Sequence, residues 1–382
     1  MRIDRQLALL DRLLAVVTQG EPAGESRESR LEVERYTSTA RLEAERQVLF
    51  RELPIVVGRE SDLPEVGSFF THDAAGLPLL VTRSEGGRVH VMLNVCSHRG
   101  SRLVCEARGS ASGFVCPYHA WSYDLSGALS HVPAPRSFPT LRRDERALPE
   151  LPVELRHGFI WASLSRRRGA RLDVRSWLGD FDDDLAGFGL DRHAVFRRRE
   201  TTRAANWKLA IDALLDGLHG AKAAAARRVN RDEAIADVAG PHVRVVGARK
   251  NLPEIANHGR DQWDLRRYAT LSYALFPNAL LVFHADAISH LAVFPETIDT
   301  STFVHTMLVP EAPRTAEARA RLERAWDALD GDLYSAQDLA HAESVQASIQ
   351  AYAFDAFRLG TLEQRIRAFH DTIDRTISEH RL

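Results

Sequence analysis

Cysteine and lysine are both scarce in this chain of 382 residues. Its three cysteines are too few for a disulfide framework and favour a reducing compartment, so the sequence predicts a cytoplasmic protein. Lysine supplies only three of the 50 basic residues, and acidic residues are interspersed among the arginines throughout. The resulting net charge of −2 argues against a nucleic-acid-binding surface.

Long apolar runs are also missing. No run approaches the roughly 18 residues that a membrane-spanning helix requires. The apolar segment LALLDRLLAVV is interrupted by Asp11 and Arg12, which is not the pattern of a signal-peptide core. We therefore expect a soluble protein that has no membrane partner.

Composition divides the chain into three parts. Residues 1–35 combine a helix, which has apolar residues at helical spacing, with a polar linker rich in Gly, Glu and Ser. Residues 36–164 contain short apolar runs separated by turn signals, which predict a small antiparallel β domain. Residues 165–382 mix strands with helices, and the last helix has an apolar stripe that a sheet or another helix must cover. The predicted class is α+β, in which the β domain precedes a helix-grip domain, an antiparallel sheet that holds helices.

The β domain contains two pairs of metal-binding side chains. Cys96 and His98 form a Cys-x-His pair, and after 17 residues Cys116 and His119 form a Cys-x-x-His pair. On ligand type alone, the four side chains fit a tetrahedral zinc site or a Rieske [2Fe–2S] centre, in which two Cys hold one iron and two His hold the other. The flanking His-Arg-Gly and Pro117 place each pair in a short loop and favour the cluster.

A helix predicted from about Ala205 to Ala226 carries the next candidate site. Asp216 and His219 are three residues apart and therefore lie on one face of this helix. In that position the carboxylate can orient the imidazole toward a metal ion, although such a pair alone also fits a solvated helix surface.

These motifs resemble those of the Rieske non-haem iron oxygenases of the alpha, or catalytic, subunit type. The cluster segment resembles their C-x-H-R-G…C-P-Y-H-x-W signature, and Asn206 to His219 resembles their N-W-K…D-x-x-H segment. The helix that contains Asp338, followed by Val345-Gln346, resembles the one that bears their ligand aspartate. The resemblance implies a [2Fe–2S] cluster on the two Cys-His pairs and a mononuclear Fe(II) held by His219 and Asp338.

The resemblance also implies an activity. Members of the family take electrons from a ferredoxin or a flavin reductase, and they use O2 at the mononuclear iron to hydroxylate or demethylate a small organic substrate. Because electrons pass between neighbouring subunits, a homotrimer or a hetero-oligomer with a related subunit is expected. In that assembly Asp216 would be a catalytic residue that hydrogen-bonds His219 and the neighbouring subunit's copy of His119.

One position departs from the family pattern. The second histidine ligand of the iron should fall at position 224, where this sequence has Ala224, and a methyl group cannot coordinate iron. Fe(II) binding is therefore expected to be impaired. Either the histidine of a competent oxygenase has been replaced, or the chain is an inactive accessory subunit that passes electrons to a related active one. His242, His258 and His284 are candidate replacement ligands if the fold brings them to the site.

Overall fold

The computed structural model describes residues 1–19, 28–165, 171–216, 229–351 and 353–380. The chain forms two compact units, of which one is the continuous segment Phe50–Val174. The other unit is discontinuous and combines Met1–Leu49 with Arg175–Leu382. The first strand, β1 (Ser29–Glu32), explains the discontinuity because it pairs antiparallel with a strand at Ala356–Leu359. The units thus divide after Leu49 and Val174, whereas composition places the boundaries after residues 35 and 164.

The continuous unit is built from short antiparallel strands in three sheets, with strand orders β10-β5-β4-β3-β6, β11-β12-β2 and β7-β8-β9. The strands are β2 (Ile55–Arg59), β3 (Ser68–Ala74), β4 (Leu77–Arg83), β5 (Val89–Leu93), β6 (Arg108–Ser110), β7 (Phe114–Val115), β8 (Ser122–Tyr123), β9 (Leu129–His131), β10 (Glu150–Leu151), β11 (Val153–Arg156) and β12 (Phe159–Ala162). Every residue of β2, β5 and β12 is buried, so these strands form the centre of the unit.

The discontinuous unit is organised around a seven-stranded antiparallel sheet in the order β13-β19-β18-β17-β16-β15-β14. Its strands are β13 (Ala194–Arg203), β14 (Val229–Ala239), β15 (His242–Arg249), β16 (Ala269–Leu275), β17 (Ala279–Phe283), β18 (Ile288–Pro295) and β19 (Ser301–Val309), and the partner of β1 is β20 (Ala356–Leu359). The interior strands β18 and β19 are buried along their whole length, as expected of a sheet that is covered on both faces.

The helices of the described chain are α1 (Ile3–Gln19), α2 (Glu34–Thr37), α3 (Thr39–Glu45), α4 (Val174–Leu178), α5 (Phe181–Ala186), α6 (Trp207–Asp216), α7 (Leu265–Tyr268), α8 (Ala316–Trp326), α9 (Ala340–Ile349) and α10 (Gln364–Glu379). Two segments are π-helical, Arg46–Phe50 and Asp327–Leu339. Short 3₁₀ turns occur at Glu60–Asp62, Glu85–Gly87, Pro135–Ser137, Arg143–Glu145, Leu190–Arg192, Leu252–Asn257, Arg260–Gln262 and Thr361–Glu363.

Alternate residues of β15 show which helices cover each face of the large sheet. Val243 and Val245 line a cavity beneath α6. Arg244, between them, points the other way and binds Asp237 at 2.7 Å. Asp237 also pairs with Arg12 of α1 at 2.9 Å. Because successive side chains of a strand alternate between faces, α6 covers one face of the sheet and α1 the other.

The predicted α+β class is confirmed, with an antiparallel β unit and a second unit in which a sheet holds helices. The helix predicted from Ala205 to Ala226 is observed as α6, Trp207–Asp216, and the following residues 217–228 lie outside the described part of the chain. Among the described residues, none of the helices has the length and apolar character needed to cross a bilayer.

Candidate cluster site and catalytic cavity

The first cluster loop follows β5 and begins at Cys96. The Cys96 N–H donates to the carbonyl of Ser101 at 2.8 Å, and the Cys96 carbonyl accepts from the N–H of Gly100 at 2.9 Å. Gly100 has a φ of +79°, the left-handed conformation that closes this turn. The buried side chain of Asn94 accepts from the N–H of Val104 at 2.9 Å and donates to the carbonyl of Val104 at 2.7 Å, so it fixes the base of the loop.

The second cluster loop joins β7 to β8 and repeats the same turn. The Cys116 N–H donates to the carbonyl of Trp121 at 2.8 Å, and the Cys116 carbonyl accepts from the N–H of Ala120 at 3.0 Å. Ala120 occupies the position that corresponds to the glycine of the first loop, and its φ is also positive, at 55°. Two equivalent turns therefore present the two Cys-His pairs.

The two pairs face each other across the loops. Cys96 and Cys116 are 2% and 3% exposed and belong to the apolar core of the unit. Burial raises the pKa of the Cys96 thiol, and the nearby Cys116 thiol raises it further. The rings of His98 and His119 lie nearer the surface, with their centroids 4.8 Å apart. Trp121 stacks on His98 at 4.7 Å and 9°, which fixes the orientation of that imidazole.

Tyr123 provides a polar contact to the cysteine pair. Its hydroxyl lies 3.2 Å from the Cys96 Sγ and accepts from the N–H of Ser97 at 3.0 Å. Burial, followed by the contact with Cys96, raises the pKa of Tyr123 to about 12. The hydroxyl therefore stays protonated at neutral pH and is available to donate to a sulfur atom.

The arrangement of the two pairs fits a [2Fe–2S] cluster better than a single zinc ion. The described residues contain no group of three or more His, Cys, Asp and Glu side chains that could hold one metal ion. A tetrahedral Cys2His2 zinc site would require four such donors around one point. A Rieske cluster instead requires one pair of thiolates and one separate pair of imidazoles, which is the arrangement described above.

The start of α6 is fixed by the Asn206 side chain. Its oxygen accepts from the N–H of Lys208 at 3.0 Å, which caps the helix, and its amide donates to the carbonyl of Ile298 at 2.8 Å. The N–H of Asn206 donates to the Gln346 side chain at 2.8 Å. The two motifs that resemble the oxygenases, Asn-Trp-Lys and Val-Gln, thus contact each other.

Glu45 explains the next two residues of the same motif. Its carboxylate pairs with the Lys208 ammonium at 2.7 Å and accepts from the Trp207 indole at 2.9 Å. Arg41 binds the other carboxylate oxygen at 3.0 Å. The Glu45 and Lys208 side chains are fully buried. Burial lowers the pKa of Lys208, and the Glu45 charge opposes that shift. This ion pair attaches α6 to α3 within the interior.

A second buried network, which the sequence analysis did not find, lies one turn further along α6. Asp212 accepts from the Tyr36 hydroxyl at 2.6 Å and contacts the Nε2 of His370 at 3.1 Å. The Tyr36 hydroxyl also lies 3.2 Å from that nitrogen. Because a carboxylate only accepts hydrogen bonds, the Nε2 of His370 carries a proton here. The network joins α2, α6 and α10.

Asp216, the candidate bridging residue, lies on the last turn of α6. It lines a cavity of about 470 Å³, here called the outer cavity, together with Asp212 and the exposed Phe354. Burial raises the pKa of Asp216, and the Glu363 charge raises it further, whereas Arg365 opposes the shift. The carboxyl is therefore partly shielded from water while it remains at the wall of an open cavity.

Asp338, the candidate iron ligand, is buried on the π-helical segment Asp327–Leu339, which packs against α6. π-Helical turns are frequent at functional sites. His219 and Ala224 lie outside the described residues, so the described residues supply Asp338 alone of the expected ligand set.

A second cavity, here called the sheet cavity, lies between α6, α10 and the large sheet and has a volume of about 320 Å³. Ile211 and Leu214 of α6 and Phe369 of α10 contribute to its lining. Tyr334 also lines it and precedes Asp338 by four residues on the π-helical segment. The cavity is therefore adjacent to the elements on which the iron ligands are expected.

His242 does not fit the role of a replacement iron ligand. Its Nε2 donates to the carbonyl of Trp177 at 2.8 Å, and its Nδ1 accepts from the N–H of Phe276 at 3.0 Å. Both ring nitrogens are thus occupied, and burial lowers the pKa of His242 to about 4. His258 lies beside Tyr268, with the ring centroids 6.3 Å apart.

His284 belongs to a further polar network that the sequence analysis did not find. Its Nε2 lies 3.1 Å from the Ser289 Oγ and 3.3 Å from the Tyr334 hydroxyl. Ser289 contacts the Nε2 of His305 at 3.0 Å, and the Nδ1 of His305 contacts Asp330 at 3.0 Å. Asp330 and Tyr334 both lie on the π-helical segment, so the network attaches that segment to β18 and β19.

Two family models match the chain. Residues 54–144 match the Rieske [2Fe–2S] domain, and residues 190–379 match the catalytic domain of the ring hydroxylating alpha subunit. The two domains together place the chain among the alpha subunits of the Rieske oxygenases, which confirms the resemblance found in the sequence. They imply a Rieske cluster and a mononuclear non-haem iron as cofactors.

Curated relatives include mono- and dioxygenases of this class. The chain is 33% identical over 170 residues to the glycine betaine monooxygenase oxygenase subunit of Chromohalobacter salexigens. This match covers 44% of this chain and 37% of that protein. It is 32% identical over 191 residues to the anthranilate 1,2-dioxygenase large subunit of Acinetobacter baylyi. This match covers 48% of this chain and 40% of that protein. The matches thus span less than half of the length of these relatives.

Among solved structures, the fold resembles that of the quaternary ammonium Rieske monooxygenase CntA. The TM-score is 0.77, the identity is 19%, and the alignment covers 91% of this chain and 95% of the other. At this identity the likeness establishes a common fold.

Proposed function

We propose that the chain is the oxygenase component of a Rieske system that takes electrons from a ferredoxin or flavin reductase. With these electrons and O2, such a component hydroxylates or demethylates a small organic substrate. The observation that carries this proposal is the pair of equivalent loops, which bring together two buried thiols and two more exposed imidazoles. When bound, the [2Fe–2S] cluster supplies one-electron transfer and the mononuclear Fe(II) supplies O2 activation.

In this proposal Cys96 and Cys116 hold one iron of the cluster, and His98 and His119 hold the other. Tyr123 donates a hydrogen bond to the Cys96 sulfur and thereby stabilises negative charge on it. The apolar surroundings of the cysteines exclude water from the sulfur side, whereas the more exposed imidazoles face the direction from which a partner would approach.

The second metal site is proposed to be impaired. Asp338 and His219 would ligate Fe(II), but position 224 carries a methyl group in place of the third ligand. Loss of a group that only supports a ligand costs about 10–100-fold in metal affinity or activity, so loss of a ligand itself should cost more.

Asp216 is proposed to connect the two centres in an assembly of three chains or of this chain with a related subunit. Its place at the wall of the outer cavity leaves the carboxyl accessible to the copy of His119 on a neighbouring subunit. The structure of CntA is described in terms of inter-subunit electron transfer, which supports the same arrangement here.

An alternative function follows from the same position. The chain would be a catalytically inactive accessory subunit, which passes electrons from its cluster to a related subunit with a complete iron site. Retention of all four cluster ligands supports electron transfer under either function, whereas retention of Asp216, His219 and Asp338 favours the first, in which the histidine of a competent oxygenase has been replaced.

Iron content and the visible spectrum of the purified protein test the proposal. A red-brown protein with about two irons per chain would contain the cluster alone, and about three would add the mononuclear site. A colourless protein with stoichiometric zinc would contradict the cluster assignment.

The substitution Ala224→His separates the two functions. In an otherwise competent oxygenase it should restore iron uptake to about three per chain together with O2-dependent product formation, because it completes the ligand set. Ala223→His is the matched control, since it adds an imidazole one residue away. Unchanged activity of Ala224→His, with activity appearing only when a related subunit is added, would establish the accessory role. Full iron loading and turnover of the unaltered chain would contradict the proposed impairment of the iron site and would indicate a replacement ligand.

A further inference from the structure

We infer that the sheet cavity takes an apolar substrate that carries a carboxylate, and that Arg365 binds this carboxylate. The inference rests on the proposed oxygenase function because it names the substrate class of that site. The observation that supports the inference is the set of charged side chains that line the sheet cavity.

Most of the cavity wall is apolar. The strands contribute Val243, Val245, Ala274 and Leu280, and α6 contributes Leu214. With a volume of about 320 Å³, the cavity has the size of a small-molecule site. The wall therefore suits an aromatic ring or a short hydrocarbon chain, and the few polar groups must select among such molecules.

The groups among the described lining residues that are charged at neutral pH are Arg365, Asp371 and Arg375. All three lie on α10. The two oxygens of Asp371 accept from the Nε of Arg367 at 2.8 and 2.9 Å, so its charge is already compensated by a residue outside the lining. The other two charged groups of the described wall are guanidinium groups, of which Arg365 also lies near the carboxylate of Asp216.

Arg365 is the more shielded of the two lining arginines. It is partly buried, whereas Arg375 is exposed. Burial lowers the pKa of Arg365 to about 10, which the charge of Asp216 partly offsets, so that the guanidinium remains cationic at neutral pH. Asp216 ends α6 and precedes His219 by three residues. Arg365 therefore lies toward the end of α6 from which an iron ligand is expected.

A guanidinium at an apolar wall gives a carboxylate two parallel hydrogen bonds in a partly dehydrated environment, where charged hydrogen bonds are strong. The same wall disfavours a quaternary ammonium group. Sites for that cation use aromatic faces, often together with an acidic group. Here the aromatic residues are accompanied by two arginines, and the lining carboxylate is neutralised by Arg367.

Calorimetric titration of the full-length protein with three probes of similar shape tests the inference. The probes are phenylacetate, phenylacetamide and benzyltrimethylammonium, and neither electron donor nor O2-dependent turnover is required. We expect phenylacetate to bind most tightly. Arg365→Gln should raise the Kd of phenylacetate by about tenfold or more, the loss of affinity typical of a charge-assisted hydrogen bond. The Kd of phenylacetamide should stay unchanged.

Two further variants complete the experiment. Arg375→Gln removes the exposed arginine of the same lining and should change the phenylacetate Kd by less than twofold. Arg365→Lys keeps the charge without the paired donors, so it should raise the Kd of phenylacetate by less than Arg365→Gln does. If Arg365→Gln fails to fold, an effect of Arg365→Lys on phenylacetate but not on phenylacetamide decides the question.

The inference is overturned by tighter binding of benzyltrimethylammonium than of phenylacetate, by absence of binding of every probe, or by a folded Arg365→Gln protein with an unchanged phenylacetate Kd. Because binding is measured without turnover, selective phenylacetate binding by an inactive protein would support the inference while the oxygenase function failed. Turnover of a quaternary ammonium compound would support the oxygenase function while the inference failed.

Discussion

Ala120 occupies a left-handed backbone conformation in the second cluster loop, where the equivalent turn of the first loop has Gly100. A side chain with a Cβ atom is strained in this conformation by roughly 1–2 kcal/mol. Ala120→Gly should therefore raise the free energy of unfolding by up to about 1 kcal/mol, after the greater entropy of glycine in the unfolded chain is subtracted.

Thermal unfolding of the cluster-containing protein measures this effect. Ala111→Gly is the matched control in the same unit, because Ala111 does not have a positive φ and should lose stability on the same change. Equal destabilisation by both substitutions would show that the left-handed turn is not strained.

His242 should make the stability of the protein sensitive to acid. Burial lowers the pKa of His242 from 6.5 to about 4. Between these values the unfolded chain binds a proton that the folded chain does not. The contribution is therefore fully present above pH 6.5 and decreases toward pH 4, by up to about 1.4 kcal/mol per pH unit.

The measurement is the free energy of unfolding as a function of pH for the unaltered protein and for His242→Gln. The variant should show a smaller loss of stability between pH 6.5 and 4. His131→Gln, which changes an exposed histidine, should leave the slope as it is. A slope that is the same in all three proteins would contradict the expectation.

At the scale of the secondary-structure elements, the Glu45–Lys208 pair should be important for the attachment of α6. Removing one member of a buried ion pair leaves the other charge uncompensated, which typically costs about 3–5 kcal/mol. Because Arg41 still binds Glu45 at 3.0 Å, Lys208→Met should cost about 3 kcal/mol, near the lower end.

Urea unfolding of single and double variants checks this value. The double variant Lys208→Met with Glu45→Leu should lose less than the sum of the two single losses, since the charges compensate each other. Lys250→Met changes an exposed lysine, so its free energy of unfolding should lie within about 0.5 kcal/mol of that of the unaltered protein. Additive losses would mean that the two side chains act independently.

Local motifs were accessible from the sequence, whereas networks between distant segments were not. The two Cys-His pairs could be found because each pair lies within four residues, and the family model confirms the Rieske domain that they indicated. Tyr36, Asp212 and His370 come from three segments of the chain, so no spacing indicates that they meet. The assigned roles of the ligand residues stay predictions.

Some elements were missed for a physical reason. The edge strand β13 (AVFRRRETTR) has no apolar alternation in its second half, because all of its residues are only partly buried or exposed. The π-helical segment Asp327–Leu339 was included in an ordinary helix, since its apolar spacing does not distinguish the two. These are elements whose conformation is determined by tertiary contacts.

At the scale of the whole molecule, the proposed assembly can be tested on the outer cavity. Phe354 lines it with 52% of its surface exposed. If the cavity faces a neighbouring subunit, light scattering should give about three times the chain mass of 42.7 kDa, and Phe354→Asp should reduce it because a charge would be buried.

Ile3→Asp is a suitable control because Ile3 is 62% exposed on α1, which covers the opposite face of the sheet from α6. This variant should keep the mass of the unaltered protein. A monomer that reduces O2 at the full rate would contradict the assembly.

The pairing of β1 with β20 has a consequence for how the protein folds during its synthesis on the ribosome. The cluster-binding unit is one continuous segment, so it can fold and take up iron while the chain is still being synthesised. Residues 1–49 are synthesised before this unit, yet β1 pairs with Ala356–Leu359 and Tyr36 contacts His370, which are synthesised long after it. The nascent chain must therefore keep this segment unpaired, and open to chaperones, until the residues from Ala356 to His370 have been synthesised.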